Sequence, residues 1–232
     1  VPYAITNIKV AYVQDDPGVP IGFWRSVGNS QNAFVVESFI DELAAVTNQD
    51  AYHYRRDLLK DKPRHLRVLD LVAEKASWGK PLPAGRFRGM AIHESFGSVV
   101  AEVVEISIDT QKEIHVHRVV CAVDCGIAIN PNIIAQQMES AVVFALTATL
   151  KSRIDIEKGR VRQRNFYDFP LLRSSETPRV ETYIVQSAEP PSGIGEPGVP
   201  PLAPAVANAV FAASGVRVRS LPIKPDDLMK NA

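Results

Sequence analysis

Ser98-Val-Val-Ala-Glu-Val-Val-Glu-Ile-Ser-Ile-Asp109 and Glu113-Ile-His-Val-His-Arg-Val-Val-Cys-Ala-Val-Asp124 are two β-branched runs with only Thr110-Gln111-Lys112 between them. Partial alternation of apolar and polar residues over such lengths predicts two strands, and the short separator predicts that they pair as a hairpin. Asn130-Pro131 follows, an N-cap type beside a proline suited to the first helical position, and no breaker interrupts the sequence from there to Leu150. The expectation is a long, mostly buried helix behind a hairpin, which sets the class as α+β with mixed sheets and packed helices.

Upstream, Phe34, Val35, Phe39, Leu43 and Val46 recur near helical spacing, so 31–46 is expected to be an amphipathic helix, with Asn29 or Ser30 as its N-cap. Two more helices are expected over 51–60 and 64–77, the latter started by Pro63. Residues 1–22 hold three prolines and short β-type runs such as 8–13, the pattern of extended chain ending in loop. Residues 78–89, rich in Gly, Pro and Arg, resemble a connector. Downstream, 151–164 is expected to form a hairpin turning at Glu157-Lys158-Gly159, and 178–186 a strand. An alanine-rich helix over 205–213 should stop at Gly215 in a left-handed cap. These elements divide into an N-terminal helical lobe, 1–89, and a C-terminal α+β lobe, 90–232.

Composition narrows the function. The 232 residues carry 26 basic and 26 acidic side chains, 46% hydrophobic residues and two cysteines. Zero formal charge gives none of the broad positive field used for non-specific nucleic-acid or anionic-membrane binding, so no nucleic-acid partner is expected. Two cysteines cannot supply the four thiolates of a plant-type iron–sulfur cluster or a disulfide framework. No stretch approaches the roughly 18 uninterrupted apolar residues of a membrane span. The start, Val-Pro-Tyr-Ala-Ile, has neither an initiator Met nor a signal-peptide pattern, which leaves two expectations open, a start that was processed away or a piece of something longer. The expectation is a soluble chain, with the compartment open between bacterial periplasm and cytoplasm.

Three segments can carry chemistry. Glu196 lies between Gly195 and Pro197 in a glycine- and proline-rich loop running toward a helix start. Its backbone can approach a ligand closely yet is stiffened, which suits a positioned general base and equally a surface glutamate in a tight connector. Trp24-Arg25-Ser26-Val27-Gly28 is a small-residue loop entering a helix, where backbone N–H groups and an arginine make an anion site or an ordinary capped start. Asp124-Cys125-Gly126 leads to Asn130-Pro131 and to Gln136 and Gln137, whose amides can both donate and accept toward a heterocycle. His115 and His117 share a strand face but lack a third ligand at metal spacing, so no metal site is expected in the protein's own side chains. His93-Glu94 lacks the partner histidine of a zinc-protease helix, and Cys121 and Cys125 are spaced as buried small side chains rather than as a redox pair. Ser192 and Ser214 have no neighbouring base visible in the sequence.

Together these segments resemble the molybdenum-cofactor subunit of the xanthine dehydrogenase and aldehyde oxidase family, in the branch typified by the isoquinoline 1-oxidoreductase β subunit. The matching pieces, in order, are Phe23-Trp-Arg-Ser-Val-Gly28 with Gln31, Glu37-Ser-Phe-Ile-Asp-Glu-Leu43, and Gly89-Met-Ala-Ile-His-Glu-Ser95. They continue with Cys121-Ala-Val-Asp-Cys-Gly126 before Asn130-Pro131, Asn165-Phe-Tyr-Asp-Phe169, Gly193-Ile-Gly-Glu-Pro-Gly198 and Gly215-Val-Arg-Val-Arg-Ser-Leu-Pro222.

The resemblance implies the molybdopterin-binding fold of molybdenum hydroxylases and oxidative hydroxylation, with water, of an N-heteroaromatic or aldehyde substrate. It implies that Glu196 is the catalytic base and that the cofactor is molybdopterin with molybdenum, in its cytosine dinucleotide form. Arg25, Ser26, Gly28, Gln31, Gln137 and Gly195 then match cofactor-binding positions, and Val27 the place where the xanthine-oxidising branch has a substrate-stacking aromatic. Gln136 and Ser140 replace glycines that flank the family's glutamine. Subunits of this kind run to roughly three times this length. The resemblance thus implies the C-terminal part of a large subunit, inactive in isolation, whose partners are the remaining N-terminal part and a small [2Fe–2S] subunit. The competing reading is a structural or cofactor-assembly module of the same fold without turnover; a weaker third is a nucleotide-binding module built on the Arg25 loop.

Overall fold

The computed structural model describes residues 1–228. Residues 98–124 do form a hairpin. Strand β2 (Ser98–Ile108) pairs antiparallel with β3 (Ile114–Asp124), and a register shift at Glu105/Ile106 marks a bulge. A four-stranded mixed sheet forms around them in the order β1-β2-β3-β6, with β1 (Phe87–Ser95) antiparallel to β2 and β6 (Arg179–Ile184) parallel to β3. Two-residue strands β4 (Ile156–Glu157) and β5 (Arg160–Val161) are all that remains of the hairpin expected over 151–164.

Both sheet faces are covered, which is why β2 and β3 show only partial alternation. Val99, Ala101, Val103, Val120 and Ala122 face a cluster with Ile40 of α1 (Asn29–Val46), Leu59 just after α2 (Ala51–Leu58), and Val68, Leu69 and Val72 of α3 (Pro63–Lys75). Val100, Val104, Val119, Cys121 and Val123 face Met138, Ala141 and Val142 of α4 (Pro131–Leu150) and Leu202, Val206 and Val210 of α5 (Leu202–Ser214). Among the described residues α4 is the one helix long and apolar enough by length and composition to cross a membrane. Its apolar face lies in this core.

Several elements differ from expectation. Strand β1 starts inside the segment that resembles a connector. Its Gly89 is not a loop glycine: a Cβ there would stand 2.2 Å from Ala209 N and 2.3 Å from Ala205 O, so α5 lies directly on β1. Helix α5 begins three residues earlier than predicted, because Pro204 sits in its first turn, where the missing N–H has no intrahelical partner to lose. Neither Asn29 nor Ser30 caps α1. Gly28 holds that position without a side-chain bond, while Asn29 and Ser30 both turn back to Ser26. The run 8–13 forms no strand, and Val10, Tyr12 and Val13 stand in solvent. The Asn130 cap is as expected, its Oδ1 accepting from Ile133 N at 3.1 Å, and Gly215 ends α5 at φ 73°.

Candidate functional site

The sheet end opposite the β2–β3 turn, where β2 starts and β3 ends, anchors the Glu196 loop. Gly126, at φ +73° just past β3, lies under the chain at 189–190, where a Cβ would meet Pro190 O at 2.1 Å. Ile127 N donates to Glu189 O at 2.9 Å and Ser192 N to Cys125 O at 2.9 Å, stitching the loop to the end of β3. Ser98 Oγ donates to Gly193 O at 2.7 Å. Gly198 then passes α4 so closely that a Cβ would stand 2.8 Å from Ala141 Cβ. The Gly and Pro composition of this segment therefore reflects contact with a helix and a strand end, and it fixes where Glu196 sits.

From the other end of the sequence, the turn before α1 meets this loop. Arg25 Nε donates to Gly195 O at 2.9 Å, Nη1 to Ser140 Oγ at 3.0 Å and Nη2 to Gln137 Oε1 at 3.4 Å. One planar guanidinium thus ties the loop to two residues of α4 spaced one turn apart. Burial pulls Arg25 below its ordinary range, and the nearby Glu196 charge pushes it back up. Trp24 packs on Phe144 of α4 with ring centroids 4.8 Å apart, and the Arg25 guanidinium lies 5.5 Å from the same ring centre. Beside this clamp, the backbone N–H of the buried Ser26 donates to Glu196 Oε1 at 2.9 Å. Among the described residues nothing bonds the other carboxylate oxygen, and Glu196 is half-buried.

Five of the residues singled out from sequence, Arg25, Ser26, Gln137, Gly195 and Glu196, are therefore brought together. Val27 and Gly28 are exposed on the turn. Gln31 does not join the cluster. It lies in the first turn of α1 and lines a cavity of about 440 Å³ shared with Trp24, Phe34 and Val199. Ser140, which the sequence offers only as a replaced glycine, bonds Arg25; the Gln137/Ser140 spacing of three on one helix is the signal that could have found it.

The remaining candidates find structural partners instead. His115 Nε2 pairs with Asp109 Oδ2 at 2.9 Å and His117 Nε2 with Ser107 Oγ at 2.7 Å. Cys121 and Cys125 are buried and free, Ser192 Oγ lies 2.8 Å from Ser98 Oγ, and Ser214 Oγ donates to Val210 O. Among the described residues no group of three His, Cys, Asp or Glu is placed to hold a metal ion.

Known proteins are similar to this chain in sequence and in fold. The β subunit of isoquinoline 1-oxidoreductase from Brevundimonas diminuta is 32% identical over 211 residues, covering 89% of this chain and 27% of that protein. A nicotinate dehydrogenase subunit from Pseudomonas putida is 32% identical over 241 residues, covering 96% of this chain and 20% of that protein. The chain thus spans between a fifth and just over a quarter of the length of these relatives. The aldehyde oxidoreductase of Desulfovibrio desulfuricans superposes with a TM-score of 0.75 over 90% of this chain and 41% of that one, a likeness of fold alone at 12% identity. A family model described as "Molybdopterin cofactor-binding domain" matches residues 42–178. That match runs from within α1 through the central sheet and α4 to the edge of β6, more than half of the sequence, and the chain belongs to this family of molybdopterin cofactor-binding domains.

Proposed function

We propose that the chain forms one wall of the active site of a molybdenum hydroxylase, with Glu196 as the general base. The observation that carries this reading is the Ser26–Glu196 bond beside the Arg25–Gly195 clamp, which holds one carboxylate oxygen and leaves the other for a proton. The donor set fits a molybdopterin. A heterocycle edged with amide and amino groups and carrying phosphate calls for side-chain amides, a guanidinium and accessible backbone. Gln137, Arg25 and the exposed backbone at Gly28 and Gly195 offer these in one place, with Gln31 in the adjoining cavity. These residues would hold the cofactor, in its cytosine dinucleotide form. When bound, it supplies the redox centre that takes up two electrons from the substrate.

The protein's own part is positioning and proton transfer. The Ser26 N–H keeps the Glu196 carboxylate from rotating, so its free oxygen stays aimed as a proton acceptor. Proline at 197 and the Gly198 contact with α4 hold the loop against recoil. On this reading Val27, exposed on the turn that bonds Glu196, touches substrate, and a small aliphatic side chain there suits an aldehyde or a compact N-heteroaromatic ring. The remaining walls would come from the N-terminal part of the large subunit, and electrons would leave to a small [2Fe–2S] subunit. On this reading the 232 residues alone have no turnover.

The test is Glu196→Gln in the complete enzyme. The neutral amide oxygen still accepts from Ser26 N–H but is a far weaker base. Hydroxylation should fall by at least about a hundredfold, with molybdenum and pterin content unchanged. Retained activity would refute the assigned role.

A further inference from the structure

Ser26 and Val27 are consecutive L-residues in the left-handed region, at φ 78° and 53°. Such conformations persist only where the surroundings hold them. Backbone bonds from Val27 N to Trp24 O and from Asn29 N to Ser26 O supply part of the hold, and the Ser26 and Ser30 hydroxyls bond each other. A further chain of contacts comes from the sheet. The Ser26 carbonyl accepts from Asn29 Nδ2 at 3.1 Å, and Asn29 Oδ1 stands 3.2 Å from His93 Nε2 on β1.

Directions along this chain are fixed by chemistry. The Ser26 carbonyl can only accept, so Asn29 must present its NH2 there and its oxygen to His93. An amide oxygen only accepts, so the imidazole must carry its proton on Nε2. At its far end, the same Ser26 whose carbonyl is gripped gives its N–H to Glu196 Oε1. His93 has no part in the clamp around Arg25, although it lies within the Gly89–Ser95 segment.

We propose that His93 and Asn29 are positioning residues for the Glu196 carboxylate: His93 orients the Asn29 amide, Asn29 locks the strained Ser26–Val27 turn, and the turn presents the Ser26 N–H that holds the glutamate. The functional meaning rests on Glu196 being the base; the geometry does not. Burial is the main force on the ring, pushing His93 down to about 4, with Glu94 opposing. At neutral pH the ring is therefore uncharged, as the single-donor tautomer requires.

Amide hydrogen exchange read by NMR on the 232-residue chain tests this directly, with no cofactor or turnover involved. The expectation is that His93→Phe and Asn29→Ala each speed exchange of the Ser26 amide about tenfold or more, while Val103 and Val120 in the core strands keep their protection. His93→Gln, whose side-chain NH2 can donate to Asn29, should restore most of the Ser26 protection. Glu196→Ala, which removes the acceptor itself, sets the scale for full loss. Unchanged Ser26 exchange in Asn29→Ala, or equal loss in His93→Phe and His93→Gln, would overturn the proposal. Should His93→Phe fail to fold, Asn29→Ala breaks the same chain of bonds without touching the buried ring. If Glu196 proved not to be the base, activity of Glu196→Gln would persist while these exchange results stood, so the two failures are separable.

Discussion

The backbone N–H of Ser26 and the carboxylate of Glu196, 170 residues apart in sequence, meet at 2.9 Å. Neither residue could be assigned that partner from its own neighbourhood. The contact exists because the turn before α1 and the loop before α5 are both pressed onto α4, and Arg25 bridges all three.

That bridge leads to the first prediction. Arg25→Lys keeps the charge but loses the planar fork that reaches Gly195, Ser140 and Gln137 together. The loss of two charge-assisted bonds should cost about 2 kcal/mol and raise proteolytic cleavage within 189–198. Urea unfolding and limited proteolysis read the two effects, and a variant indistinguishable from the parent in both would show that the clamp contributes nothing.

Glu102 gives the chain a pH-dependent stability. It is fully buried on the α4/α5 side of the sheet, where among the described residues its one bond is from Cys121 Sγ at 3.5 Å, and burial pushes its carboxyl up to about 8. An unfolded glutamate ionises near 4.3. Between these values the folded chain binds the extra proton, so stability falls as pH rises, by on the order of 1 kcal/mol per pH unit for this group. Glu102→Gln should flatten the dependence between pH 5 and 8 and raise the melting temperature at pH 8. A wild-type unfolding midpoint that does not decline over that range relative to Glu102→Gln would contradict the assignment.

Gly89→Ala should be among the most damaging single-methyl changes in the chain. The added Cβ would meet backbone atoms of α5 at 2.2 and 2.3 Å, and backbone cannot swing aside as a side-chain tip can. A loss of about 3 kcal/mol or more is expected, against about 1 kcal/mol for Gly215→Ala, where only the left-handed φ of 73° is at stake. Parallel denaturation curves decide the order.

A buried ion network should behave as a unit. Glu37 accepts from Tyr3 Oη at 2.5 Å, Arg55 Nε at 2.9 Å and Ile92 N at 3.1 Å, and Asp41 pairs with both Arg55 and Arg217. Arg55→Met strands Glu37 without its counter-charge and should cost about 3–5 kcal/mol. Adding Glu37→Gln to it should recover part of that loss, a coupling that a double-mutant cycle measures. Strict additivity would mean that the pair is not coupled.

Much of this architecture is legible in the residues alone. The hairpin over 98–124, the Asn130–Pro131 helix start and the Gly215 stop all depend on neighbours in sequence, and local preference fixes them. β1 is not legible, because Gly89 and the proline-rich residues before it carry the same letters whether a glycine serves a turn or a helix crossing. The α1 start differs for a related reason: Asn29 and Ser30 have the chemistry of caps, and their side chains are claimed instead by Ser26. His93 has no metal-binding neighbour along the chain, and its actual partner, Asn29, comes from a different element.

The helices, the β2–β3 hairpin and the loops rich in glycine and proline can be taken from the residue order, whereas β1 cannot. Periodicity, caps and turn residues act over a few positions, so a linear reading captures them. That Arg25, Ser26, Gln137, Gly195 and Glu196 share one site, and that Gln31 faces a neighbouring cavity, emerges only in three dimensions. Those contacts follow from how α4, α5 and the sheet pack, and the packing is set by side chains far apart in sequence that meet only when the core closes.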